Sequence, residues 1–346
     1  MADPITFITA VDITPARDAA WHTVDVSANI PTTASGVLLR SHYASSTSSD
    51  DIGFRKTGST DDYSTAHAVA PYFAYTAIGV DGSQQLDIMV NSGGAGKEGF
   101  VELIGYFDQD SVSFFTNAIT HAPASTGVYS AWDISSDTGA DTAIAAILYL
   151  GTTRSNDTDV AWRKNGSTED HYQAHGSSTG GTYLGTAIVP VDANEILEVK
   201  WASAFYNDFK IVGYITANFT GIDPPTDESI TTLTTWTDIT TSGALAVAIE
   251  SIATTPDHVV GFRKNGDTTD RSAAPEPGGE RSVAIIEADA SGIIEGYTDS
   301  LDAGFFVRGY FTAEAGSAGR IMGSLASQGG LAGPGGIAGP KGGLAG

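Results

Sequence analysis

The chain has 346 residues, 41% hydrophobic and 17% charged, with a net charge of −24 and no cysteine. That apolar content excludes a disordered chain and, at roughly 100–200 residues per domain, predicts two or three packed domains. The missing cysteines exclude disulfides, thiolate metal sites and cysteine nucleophiles, and the acid excess argues against nucleic acid or anionic lipid as a partner.

Met1-Ala2-Asp3-Pro4 lacks a basic segment and an apolar core, so no signal peptide is expected. No run of 18 apolar residues predicts a membrane-crossing helix. Thr, Val, Ile, Tyr and Phe are plentiful, and long helix-forming runs are missing, which favours strands. Short apolar runs at Val37–Arg40, Ile144–Leu150 and Ala244–Ile249, and the partly alternating Ile196–Trp201, read as strands separated by Ser, Thr, Gly and Asp clusters.

Self-similarity is the strongest signal. Gly53-Phe54-Arg55-Lys56-Thr57-Gly58-Ser59-Thr60 recurs as Ala161-Trp162-Arg163-Lys164-Asn165-Gly166-Ser167-Thr168. It returns as Gly261-Phe262-Arg263-Lys264-Asn265-Gly266-Asp267-Thr268. Asp25-Val26-Ser27, Asp133-Ile134-Ser135 and Asp238-Ile239-Thr240 precede these copies. Val80-Asp81-Gly82, Val191-Asp192-Ala193 and Ala288-Asp289-Ala290 follow them. Each copy closes on a Gly-Tyr pair: Gly105-Tyr106, Gly213-Tyr214 and Gly309-Tyr310. The expectation is an all-β chain of three tandem antiparallel sandwiches, jelly-roll or immunoglobulin-like, over residues 1–118, 119–222 and 223–314. Ala122-Pro123-Ala124 and Asp223-Pro224-Pro225-Thr226 read as the linkers, because proline stops a strand from continuing.

Within each signature, Ile52 and Phe54 alternate with Gly53 and Arg55, as do the matching residues of the other copies, which gives a strand with one apolar face. Asn165-Gly166 and Asn265-Gly266 then read as two-residue hairpin turns. Two readings of Arg55, Arg163 and Arg263 stand open. Each could be structural, its stem covering the small neighbour and its head pairing with one of the repeated aspartates. Or the three could form a row that binds an anionic ligand.

From residue 315 the composition changes. Arg320 and Lys341 are the tail's only charged residues, so it carries +2 and the body −26. Glycine falls at every third position from Gly330 to Gly342, the collagen spacing, with Leu331, Pro334, Ile337, Pro340 and Leu344 between or just beyond. The tail at 315–346 reads either as a flexible extension or as an assembly peptide that helps form a homo-oligomer, a trimer or a polymer.

No catalytic constellation is legible. His22, His42, His67, His121, His171, His175 and His258 fit no zinc motif, and no nucleophile elbow, P-loop or dinucleotide fingerprint occurs. The expectation is a non-enzymatic protein without cofactor or resident metal.

The signature Arg-Lys-Asn-Gly-Ser-Thr, with its Gly-Tyr pair some 50 residues on, resembles modules of structural proteins in tailed bacteriophages and prophages. The resemblance covers residues 1 to about 314. It implies a virion surface role (capsid decoration, tail or fibre) made in a host cytoplasm, with other virion proteins as partners and a host-surface glycan as a candidate ligand. The alternative is a bacterial or archaeal extracellular filament, matrix or glycan-binding surface protein.

Overall fold

The computed structural model describes residues 2–43, 51–61, 73–91, 98–121, 127–152, 158–169, 173–175, 184–201, 207–253, 259–268, 272–273 and 281–314. The glycine-rich tail and Ala122-Pro123-Ala124 lie outside these residues.

The first module contains β1 (Ile5–Asp12), β2 (Trp21–Asp25), β3 (Ala34–Tyr43), β4 (Asp51–Lys56), β5 (Ala74–Gly79), β6 (Gln85–Asn91) and β7 (Gly99–Asp108). The second contains β8 (Val112–His121), β9 (Ser130–Asp133), β10 (Ala145–Thr152), β11 (Thr158–Lys164), β12 (Gln173–His175), β13 (Leu184–Pro190), β14 (Ile196–Trp201) and β15 (Asn207–Ile215). The third contains β16 (Phe219–Asp227), β17 (Thr237–Thr240), β18 (Ala244–Ala253), β19 (Val260–Lys264), β20 (Ser272–Ala273), β21 (Arg281–Glu287), β22 (Ile293–Thr298) and β23 (Ala303–Thr312).

The strand order repeats. One sheet of each module runs β1-β7-β3-β5, β8-β15-β10-β13 or β16-β23-β18-β21. The other runs β2-β6-β4, β9-β14-β11-β12 or β17-β22-β19-β20. Every pairing is antiparallel, and first and last strands of a module are neighbours in one sheet. This interleaving is the order of a jelly roll, which settles the choice between the two sandwich types.

Alternation builds the cores. Ile52 and Phe54 are buried inside the first sandwich; Trp162 and Phe262 hold the Phe54 position in the others. Strand pairing moves the module boundaries from their expected places. β8 pairs with β15 and β16 with β23, so the changeovers fall at residues 109–111 and 216–218. Asp223–Thr226 is thus part of β16, not a linker. Its two prolines sit where the register jumps from Gly221 to Thr226, a bulged edge that needs no ladder N–H.

The modules do not hang as separate beads. The equivalent strands β5, β13 and β21 touch one another pairwise, so a pseudo-threefold axis runs between them. The Ala77 amide of β5 donates to Thr186 Oγ1 of β13 at 2.9 Å. One hydrophobic cluster contains core residues of all three modules, among them Phe107, Tyr149 and Phe311. The chain crossovers gather at one end. Asn218 Nδ2, between modules two and three, donates to Ser111 Oγ at 3.3 Å and to Glu314 Oε2 at 2.6 Å. The Glu314 amide donates to Asp3 Oδ1 at 3.1 Å, which brings the end of the third module to the start of the first.

Candidate functional site

The signature residues occupy equivalent positions in the three copies. Arg55, Arg163 and Arg263 lie in register with Asp87, Glu198 and Glu295 on the adjacent strand. Their Nε atoms meet those carboxylates at 3.2, 2.5 and 2.7 Å. Each guanidinium also lies over an aromatic ring, 4.2 Å from Trp21, 3.6 Å from Tyr129 and 4.0 Å from Trp236. Arg55 Nη1 donates to the Asp61 carbonyl and Arg163 Nη1 to the Glu169 carbonyl, at 2.8 and 2.6 Å, which ties down the turn that follows. A planar guanidinium suits this because it can stack on a ring while its edge donates to a carboxylate. The geometry therefore favours the structural reading of the arginines.

The acid partners are not the aspartates expected from the repeat. Those aspartates hold turns instead. Asp81, Asp192 and Asp289 Oδ1 each accept two backbone amides at 2.8–2.9 Å, from Ser83 and Gln85, Asn194 and Ile196, and Ser291 and Ile293. Asn165 and Asn265 donate to the free oxygens of Asp192 and Asp289 at 2.8 and 2.7 Å. Asp25 and Asp133 accept from the amides of Ser27 and Ser135, both at 2.9 Å. Asp133 is held below the ordinary carboxylate range by its Ser135 hydroxyl and amide. The Ile293 amide, and then Asn265, do the same for Asp289.

The turn after the signature also differs from the expected hairpin. Lys56, Lys164 and Lys264 carbonyls accept from the amides three residues on, and only Gly58, Gly166 and Gly266 have positive φ, at 87°, 78° and 77°. A single positive φ at the third position is the type II pattern, not the doubled one of a two-residue hairpin. The signature strands β11 and β19 do pair with the next strand, β12 and β20, though across a longer loop than two residues, and β4, β11 and β19 each pair with β6, β14 and β22, far along the chain.

Gly105, Gly213 and Gly309 each follow a β-bulge. Leu38 pairs Gly105 while Leu39 pairs Leu103, so Ile104 is the extra residue; Val212 and Arg308 are its counterparts. A Cβ at these glycines would lie 2.9, 2.4 and 2.6 Å from a carbonyl oxygen of the neighbouring first strand. The adjoining tyrosines diverge. Tyr214 donates to Asp141 at 2.8 Å, and burial raises its pKa. Tyr106 and Tyr310 pack against the hydrophobic core.

The turn's second task was not legible in the sequence: it joins modules. Ser59 Oγ and the Thr60 amide reach Asn117 Oδ1 of β8 at 3.0 and 2.9 Å. The Ala118 amide donates to Asp61 Oδ2 at 2.7 Å. Lys56 Nζ reaches the Phe114 carbonyl at 3.2 Å. At the next seam Ser167 donates to Asp223, and Glu169 receives Arg308 at 2.5 Å. At the seam from the third module back to the first, Lys264 turns to Glu287 of its own module at 2.6 Å. A crevice of about 70 Å³ lies there, lined by Phe262, Arg263 and Asp267 on one side and Phe7, Ile8 and Ala10 on the other. Spaces of about 10 Å³ lie at each of the other two seams.

Among the described residues no group of three or more His, Asp or Glu could hold a metal ion. No helix among them is long and apolar enough to cross a membrane. The sequence matches no protein-family model and no curated protein.

Proposed function

We propose that the protein is a non-enzymatic virion structural or surface protein, of capsid-decoration, tail or fibre type, whose single chain supplies a ready-made trimer. The observation that carries this reading is the ring itself. The most regular chemistry of the repeat, arginine on carboxylate on aromatic ring, is spent on holding sheets and turns, and the turns are spent on joining modules. The strongly acidic body suits a crowded assembly, because like charge keeps neighbouring copies soluble. The resemblance of the signature to phage structural modules adds to it. Immunogold labelling of purified particles from a producing host tests the reading: labelled particles support it, and particles free of the protein reject it.

The second reading is an extracellular glycan-binding or filament protein. It is favoured by the half-buried aromatics of the signature-bearing sheets, notably Trp236 and Tyr297 with ring centroids 5.4 Å apart. A glycan array separates the two, since saturable binding by protein found outside particles favours this one.

A further inference from the structure

The ring has two seams that the chain itself crosses and one that it does not. The uncrossed seam joins modules whose strands lie some 200 residues apart in sequence. Near the axis it is apolar. Phe311 lies 6.1 Å from Phe107 of the first module and 5.1 Å from Phe219 of its own. At the rim it holds the 70 Å³ crevice, and Lys264 there turns to Glu287 of its own module, whereas Lys56 crosses the first seam to the Phe114 carbonyl. At the crossover end it is held by the amide of Glu314 on Asp3.

A chain opened at this seam would expose the apolar faces of both modules, so the open form does not persist alone. A third module from another copy offers the same surfaces to the same first module and, through Arg308 and Asp223, to the same second module. The geometry of the third module's tether matters as much. Only residues 216–218 separate β15 from β16, and Asn218 there is in the left-handed region at φ 57°. Short, strained hinges favour exchange of a whole element between chains, because straightening relieves the hinge while every other contact is kept.

We infer that the seam between the third and first modules is an interaction surface for a second copy of this chain, each copy's third module completing the other's ring. This exchange does not rest on the virion reading and needs no new contact surface. It gives the protein a closed monomer and a reciprocal dimer built from identical interfaces.

The absence of cysteine makes the test clean. Full-length D3C/E314C places one thiol on each side of the seam. Oxidised at low concentration, it should form a disulfide within one chain. The reduced protein is concentrated, cycled through mild guanidinium and then oxidised. Exchange predicts a non-reducing gel band at twice the 35.7 kDa chain mass, with each disulfide joining position 3 of one chain to position 314 of the other, and predicts that the pre-oxidised monomer gives none. The inference is overturned if the cycled protein stays monomeric at every concentration. It is equally overturned if a dimer forms as readily from the pre-oxidised chain, or forms without the cross-chain disulfide.

Discussion

Arg308 of the third module reaches across to Glu169 of the second, Nη1 to Oε1 at 2.5 Å, and the same guanidinium is bound on its other edge by Glu250. Arg308 is 7% exposed and Glu250 is wholly buried. Burial lowers the arginine's pKa, while the Glu169 carboxylate opposes the change. In the other modules the corresponding pairs are Val212 with Tyr149 and Ile104 with Arg40, so the repeat does not carry this charge cluster at the equivalent positions.

Arg308→Val therefore takes the guanidinium from two buried carboxylates, Glu250 and Glu169, and should cost about 3–5 kcal/mol in urea unfolding. Arg308→Val with Glu250→Tyr copies the second module's pair. It should recover part of that loss, because the buried carboxylate of Glu250 is gone while Glu169 still loses the guanidinium. A double variant as unstable as the single one would contradict this.

The arginine clamp predicts graded losses at Arg163. Arg163→Ala removes the Glu198 pair and the contact with Tyr129, for about 2 kcal/mol. Arg163→Lys keeps the charge but loses the planar fork and stacking, so it should fall between wild type and alanine. Denaturant midpoints check the order. Unchanged stability for Arg163→Ala, together with loss of binding on an anionic-glycan array, would restore the ligand reading.

Two glycine substitutions should differ for different reasons. Gly213→Ala drives a Cβ to 2.4 Å from the Ser113 carbonyl and should cost ~3 kcal/mol, because backbone must move. Gly58→Ala meets open space but a φ of 87°, and should cost only ~1–2 kcal/mol. Thermal melts of the two variants give the comparison.

Acid should destabilise the ring in two stages. His42 stacks on Phe100 with centroids 5.0 Å apart, and His121 on Trp132 at 4.8 Å. Burial lowers both pKa values, with the Arg40 charge assisting at His42 against the pull of Glu102. A lowered folded pKa means that the unfolded chain takes up protons first. Stability is then complete above the usual histidine value of ~6.5 and falls as pH drops below it. Asp133 and Asp289, also lowered, extend the loss below the usual carboxylate value of ~4. His42→Phe with His121→Phe should flatten the first stage and spare the second. An unchanged profile between pH 7 and 5 would contradict the assignment.

The sequence made the modules legible because their turn chemistry is local. Asp81, Asp192 and Asp289 serve amides only two and four residues away, and Gly58, Gly166 and Gly266 answer a local φ. The clamp was half legible. Its arginines repeat, but the acid is Asp in one copy and Glu in two, on a strand whose register only the fold supplies. The seams were not legible. Asn117, Asp223 and Arg308 break the repeat instead of following it, since each seam joins a different pair of modules. The proline-rich run at Asp223–Thr226 misled for a related reason: proline marks a linker or a bulged edge strand with equal force, and here it lies in β16.

Small-angle X-ray scattering of the chain cut after Glu314 addresses the ring directly. Three jelly rolls closed around one axis should give a radius of gyration of about 20 Å, as for any compact body of that length. Three tethered beads of similar size, each near 13 Å and about 30 Å apart, would give about 28 Å with a drawn-out distance distribution. The smaller value is the one expected here, and the larger one in dilute solution would show that the first and third modules do not meet.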